Sequence, residues 1–313
     1  MDSVVDKIVS SSSRLQPCPV GARACSWQIN GRELQGLVWG EAAHPAVLAL
    51  HGWLDNALSF AELAPRLAEA GYQVIAIDWA GHGLSDWRDQ ACYWHQQDVL
   101  DLDALLDQLD ASPLPIIAHS MGAGLAGMLA AAAPEKISQL ILIDGLGLLS
   151  SEPEATVPQL NQALQAQRKR RARVSSSLHY RDLDAAISAR QKGMFPLTEK
   201  AAWQLCQRGL RAEGQGWCWS SDPRLLLPSP VRLTEAQNQA YLAQLKLPVT
   251  LLVGQQGVFA QGDRLAARVA CIPHIEVIWR EGGHHLHLEQ ASASACAAVI
   301  LKALKQGQDQ PAV

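Results

Sequence analysis

The stretch Leu114–Ala126, LPIIAHSMGAGLA, constrains the fold more than any other part of the chain. Leu114 to Ala118 is an apolar run, the pattern of a buried strand. Small residues follow at Ala118, Gly122, Ala123 and Gly124, and an Ala-rich apolar stretch continues to Ala133 as a helix packed on a sheet. Ser120 then lies on a sharp strand-to-helix turn, where its hydroxyl is exposed and the next N–H can face a substrate. The run Ala118-His119-Ser120-Met121-Gly122 is a variant of G-x-S-x-G with Ala in first place. Small residues are required because the turn brings two backbones together. A buried serine in an ordinary strand–helix connection has the same local pattern, so the turn alone leaves both readings open.

Composition bounds the rest. A chain of 313 residues accommodates one large domain, or one with an insertion, and a core that needs no staples. The net charge of -4 argues against nucleic acid as a general partner. The seven cysteines are odd in number and none forms C-x-x-C, so neither a disulfide framework nor a zinc site is indicated. The N-terminal residues carry charges and no long apolar run, unlike a secretory signal. No segment has the unbroken apolar length of a membrane span. Together these features predict a cytoplasmic protein without cofactor or bound metal; the oligomeric state is not readable.

Taken in order, residues 1–22 form a Ser-rich arm. Cys25–Asn30 and Leu34–Trp39 read as a hairpin turning at Asn30-Gly31. Ala46–Leu50 is a strand that ends in His51-Gly52-Trp53-Leu54-Asp55, and Phe60, Leu63 and Leu67 fall at helical spacing. Tyr72–Ile77 is a strand ending in Asp78-Trp79-Ala80-Gly81-His82-Gly83-Leu84-Ser85. Val99, Leu102, Leu106 and Leu109 mark a helix, and Ile137–Ile143 is a strand that ends at Asp144. The alternation then breaks. Residues 146–246 read as a helical cap domain with no strong strand, with periodic sets that include Val157, Leu160 and Leu164. Strands resume at Pro248–Val253 and Ile275–Trp279, around a short helix at Arg264–Ala270. The loop Gly282-Gly283-His284-His285-Leu286-His287 and a helix over Ala293–Lys305 close the chain. Residues 23–145 and 247–313 are thus predicted to form one α/β core domain, a mostly parallel sheet covered on both faces. Sites in such sheets lie at the carboxyl ends of the strands.

Those strand ends carry His51, Asp78, Ser120, Asp144 and His284. A serine hydroxyl needs a base to take its proton, imidazole suits that task near neutral pH, and a carboxylate fixes the base's tautomer. The succession of HGW, D-x-x-G-x-G-x-S, A-H-S-M-G and G-G-H-x-x-x-x-E resembles the α/β-hydrolase superfamily over about residues 25–306. Within it, HGWLDNALSF, GWCWSSDPRL and the doubled His284-His285 look most like the serine hydrolase-like proteins.

The resemblance implies an α/β-hydrolase fold with a helical cap inserted after the sixth strand. It implies Ser120 as nucleophile and His284 as base, with His285, turned to the opposite side of its loop, and His287 as competitors. Many relatives carry the acid after the strand that corresponds to Pro248–Val253, but here Gly254-Gln255-Gln256-Gly257 offers none. Some place it one strand earlier, where Asp144 stands; Asp263 is the runner-up. The oxyanion donors are expected to be the N–H groups of Met121 and Trp53, with Leu54 second. His51, Trp79, His119 and Trp217 are candidates for the substrate pocket, although His51 and His119 also read as structural neighbours and Trp203, Trp217 and Trp219 as cap packing. The basic run Arg168–Arg171 with Arg173 reads as a solvated helix face, or as a surface for a coenzyme A thioester or a membrane.

The implied activity is a carboxylesterase-like serine hydrolase acting on a small ester or thioester through an acyl-enzyme. C–C hydrolysis, perhydrolysis and acyl transfer use the same groups, and a non-catalytic binding protein on this fold is the rival from another class. Fold alone does not give the substrate.

Overall fold

Strict alternation along the central strands assigns their side chains to two opposite cores. On β3 (Ala46–Leu50), Leu48 and Leu50 join one apolar cluster while Val47 and Ala49 join another. The same division separates Leu140 and Leu142 from Ile141 and Ile143 on β6 (Ile137–Ile143), and Leu251 and Val253 from Leu252 on β10 (Val249–Gln256). Successive side chains leave a strand on opposite faces, so a run apolar at every position must be covered twice.

The computed structural model, which describes residues 15, 17–89, 92–109, 111–171, 179–260 and 263–308, shows that double cover. One face is packed by α2 (His95–Leu109), α3 (Met121–Ala132) and α7 (Glu235–Leu242). The other is packed by α1 (Ala64–Glu69) and α9 (Gln290–Gln308).

The sheet has eight strands in the order β1-β2-β4-β3-β5-β6-β10-β11. Its edge strands are β1 (Ala22–Ile29) and β11 (Ile275–Gly283), and β4 (Gln73–Ile77) and β5 (Leu114–His119) flank β3. Strand β2 (Arg32–Trp39) pairs antiparallel with both β1 and β4, and the pairings from β4 to β11 are parallel. The predicted hairpin turns at Asn30 and Gly31, both at positive φ, as a two-residue turn requires. The helix read over Phe60–Leu67 is instead a 3-10 turn, Ala57–Phe60, followed by α1. Pro65 in the first turn of α1, without an N–H to bond backwards, suits a helix start.

Between β6 and β10 the chain makes a long excursion, and here the sequence reading needs correction. It contains α4 (Thr156–Arg171), α5 (Leu183–Gln191), α6 (Glu199–Gly209), α7 and also a three-stranded antiparallel sheet. The strands are β7 (His179–Tyr180), β8 (Leu210–Glu213) and β9 (Gly216–Trp219), in the order β7-β9-β8. Strands of two to four residues are too short to display an alternation, although Glu213-Gly214-Gln215-Gly216 carries the turn signal of the β8–β9 hairpin. Ile187, Leu197, Leu205, Cys206 and Leu210 form a small apolar cluster of this excursion, and Leu288 reaches it from the core.

Polar ties fasten the excursion to the core. Asp78, fully buried at the end of β4, accepts from the N–H groups of Ala57 (2.7 Å) and Leu84 (2.8 Å) and from Arg208 Nε (2.7 Å). Asn56 Nδ2 donates to Leu205 O, and Tyr93 Oη donates to Asp222. A carboxylate in such a place is tolerated only because its lone pairs are filled. Replacing Arg208 with Leu should therefore lower unfolding free energy by about 3–5 kcal/mol, measured by urea denaturation. A loss below about 1 kcal/mol would mean that the backbone donors alone hold the Asp78 charge.

Candidate active site

Parallel strands place their following loops along one rim. Ser120 follows β5, Asp144 follows β6 and His284 follows β11. Ser120 is the N-cap of α3 with φ 52 and ψ -114, a conformation that L-residues rarely adopt. Its neighbours must be small. A Cβ at Gly122 would stand 2.6 Å from Leu50 O, and one at Gly145 would stand 2.6 Å from Ser120 O.

The three side chains meet. Ser120 Oγ is 3.0 Å from His284 Nε2, and His284 Nδ1 is 2.6 Å from Asp144 Oδ2. The consistent tautomer has Nδ1–H donating to Asp144, leaving the Nε2 lone pair to accept from the serine. Asp144 is fully buried at φ 43, and its carboxylate also accepts from Gly254 N (3.1 Å) and Val258 N (2.8 Å). Gly254, within β10, and Val258, just beyond it, thus supply backbone donors to Asp144. A Cβ at Gly257 would come within 2.2 Å of that carboxylate. Asp263 is exposed at the N-cap of α8 (Arg264–Val269), and among the described residues it makes no bond to His284.

Burial, chiefly, and the neighbouring His119 push the His284 pKa below that of a free imidazole; the Asp144 bond acts in the opposite sense. The Phe195 ring, from the excursion, lies over the His284 ring with centroids 3.9 Å apart. The backbone N–H groups of Trp53 and Met121 have no acceptor among the described residues. Trp53 is 42% exposed, and its indole Nε1 donates to Leu225 O in the excursion.

Three of the four pocket candidates, His51, Trp79 and His119, are buried and hydrogen-bonded within the protein. His51 accepts from Trp79 N at Nε2 and donates from Nδ1 to Gly52 O. Burial lowers its pKa to about 4, so the ring is neutral. Trp79 Nε1 donates to His51 O, and His119 Nε2 donates to His284 O (2.9 Å), bracing the loop that carries His284. Trp217, on β9, is half-buried and packs with Trp203 and Trp219 on the excursion's own cluster.

His285 does not turn away from the site. Residues 284–288 form consecutive tight turns rather than extended chain, with Leu288 N bonded to His285 O, so His284, His285 and His287 lie on one side. His285 Nε2 is 3.1 Å from Asp55 Oδ2, and His287 Nε2 is 2.9 Å from Ser59 Oγ.

The residue that sequence reasoning missed is Asp55. It is buried, close to His119 Nδ1 (3.6 Å), and it receives Arg190 Nη2 of α5 at 2.6 Å. Burial would raise its pKa, but His285, His119 and Arg190 together hold the carboxyl well below the usual range. One ligand-type atom each from Asp55, His119 and His285 lies within 4.8 Å of the others, a grouping that metal centres also use. In this protein Arg190 already supplies the positive charge, and a Cβ at Gly52 would be 2.9 Å from His119 Nδ1, so backbone covers that nitrogen. Asp55 stood in view three residues after Gly52; Arg190 and Phe195 carry no sequence signal, because only the folded excursion brings them here.

The profile of the alpha/beta hydrolase fold matches residues 45–291. A serine hydrolase-like protein of Dictyostelium discoideum is 31% identical over 84% of this chain and 76% of its own length. The crystal structure of a hypothetical protein from Pseudomonas aeruginosa PAO1 superposes with a TM-score of 0.83 at 38% identity, covering 90% of this chain and 99% of that one. The thioesterase domain from the curacin biosynthetic pathway superposes with a TM-score of 0.78 at 28% identity, covering 90% and 99%. With the serine-bearing turn, the parallel sheet and these relatives together, the chain belongs to the alpha/beta hydrolase family and is similar within it to serine hydrolase-like proteins.

Proposed function

We propose that the protein is a serine hydrolase that cleaves a carboxylic ester or thioester through an acyl-enzyme. The contact of Ser120, His284 and Asp144 carries this reading. His284 Nε2 takes the Ser120 proton as Oγ attacks the carbonyl carbon. The negative charge that forms on the carbonyl oxygen is met by the N–H groups of Met121 and Trp53, neither of which has an acceptor among the described residues. The tetrahedral species collapses, the C–O or C–S bond breaks, and His284 returns its proton to the leaving alcohol or thiol. Water deprotonated by the same nitrogen then attacks the acyl carbon, releasing the acid and restoring Ser120. Asp144 keeps the tautomer and balances the transient imidazolium.

Residues 146–246 serve as the cap over this centre, with Phe195 above the base and the Trp53–Leu225 bond closing one wall. The thioesterase relative supports including thioesters among the substrates. Seven unpaired cysteines support a reducing, cytoplasmic setting. No helix among the described residues is long and apolar enough to cross a membrane.

A fluorophosphonate should label the wild-type protein and fail to label Ser120→Ala. Absence of labelling in a folded wild type, checked by circular dichroism, would favour a binding protein instead. On p-nitrophenyl esters of increasing chain length, Asp144→Asn should reduce kcat about 10⁴-fold, and unchanged turnover would remove Asp144 from its role. The depressed pKa of His284 sets the pH dependence. The base is active when neutral, and a lowered pKa keeps it neutral to lower pH. The acid limb of kcat/KM should therefore have its midpoint below about 6.5, and a midpoint above 7 would contradict the assigned surroundings of the base.

A further inference from the structure

Helix α4 is built with its apolar stripe outward. Val157 is 75% exposed, Leu160 45% and Leu164 47%, although their spacing reads in sequence as a packing face. At 3.6 residues per turn, positions 157, 160, 164, 168 and 171 fall within an arc of about 80°. The stripe therefore runs from Val157, Leu160 and Leu164 into Arg168 and Arg171, both exposed. The opposite side holds the helix to the protein: Ala163 is buried and Gln159 Nε2 donates to Ser229 O at 3.0 Å.

The charge on this element is one-sided. Thr156–Arg171 contains four basic residues and no acidic one, in a chain whose net charge is -4. None of Arg168, Lys169, Arg170 and Arg171 forms an ion pair among the described residues. Cations in a last turn complement the helix dipole, which accounts for their position and leaves the exposed leucines unexplained. Glu152 and Glu154 precede the helix at its far, N-terminal end. Arg173 and the rest of 172–178 lie outside the described residues.

We propose that this face of α4 docks reversibly on an anionic lipid surface. Apolar side chains followed by unpaired cations on one stripe match the acyl–headgroup boundary of such a surface, where burial of the first adds to attraction of the second. Three apolar side chains are too few for a stable protein interface, which takes about 800 Å² from each partner. They suffice for interfacial binding, and no spanning helix is needed. The proposal does not depend on the chemistry at Ser120.

The test uses the full-length protein in flotation with vesicles of phosphatidylcholine alone or with phosphatidylglycerol added. Wild type should float with the anionic vesicles only, and binding should fall about tenfold or more in high salt. The pair Leu160→Asp and Leu164→Asp should reduce partitioning about tenfold or more. The pair Arg168→Gln and Arg171→Gln should reduce it comparably and weaken the preference for anionic lipid. All four side chains are exposed, so thermal midpoints should stay close to wild type; the Gln pair provides the reading if the Asp pair fails to fold. No flotation of wild type, or flotation unchanged in both pairs, overturns the proposal. So does a wild-type dimer in sedimentation velocity that the Leu substitutions dissociate, since the stripe would then be a face between two copies.

Discussion

Three backbones crowd together at Ser120, and the rim of the molecule is arranged around that crowding. A residue at φ 52 outside glycine costs on the order of 1–3 kcal/mol, so its surroundings must hold it there. They do so from both sides: Ser120 N bonds to Ile143 O, while α3 starts at once and packs its small residues on the sheet. Gly122 and Gly145 lack the Cβ atoms that would collide with the ends of β3 and with Ser120 itself. The pairing of His119 with Ile143 sets the level at which β5 and β6 end, and so brings Asp144 to the height of the serine loop. Chemistry at this rim follows from a constraint on main chain before any side chain is considered.

A second buried carboxylate gives the site its electrostatic character. His119, His284, His285 and His287 crowd into ring contacts of 4.4 to 6.3 Å. Burial is the largest influence on His119, His284 and His287, and it favours their neutral forms. The fixed negative charge of Asp55 is met by Arg190, whose side chain comes from the excursion. The excursion is thus bound to the surroundings of the clustered histidines by a largely buried guanidinium–carboxylate contact, where such contacts are strongest.

Much of this was legible in the sequence where the chain obeys one periodicity at a time. Val47–Leu50, Ile116–Ala118 and Leu140–Ile143 are apolar without interruption and became doubly covered strands. The turn at Ser120 was readable from small residues, and Asp144 as candidate acid from the resemblance to relatives that carry it one strand earlier, Gly254-Gln255-Gln256-Gly257 offering none. Three features were hidden for separate reasons. The β8–β9 hairpin is too short to show a period. His285 sits in tight turns, so counting alternate residues put it on the wrong side. The leucines of α4 have helical spacing, and spacing does not say whether a neighbour is present to cover the stripe.

Strands β6 and β10 are neighbours in the sheet, yet the whole segment from Asp144 to Pro248 intervenes. Closing a loop of that size costs entropy that grows only with the logarithm of its length, about 0.6 kcal/mol for each doubling. The register of Val249 with Leu140 is fixed by side-chain fit within the sheet and is indifferent to what lies between. The length of the detour is therefore a minor cost to the parallel pairing of this open sheet, whereas Arg208 and Arg190, which meet the buried Asp78 and Asp55, are the points of the detour that the core requires. A lineage built on this plan has latitude to redraw the rest of the detour while inheriting the sheet unchanged.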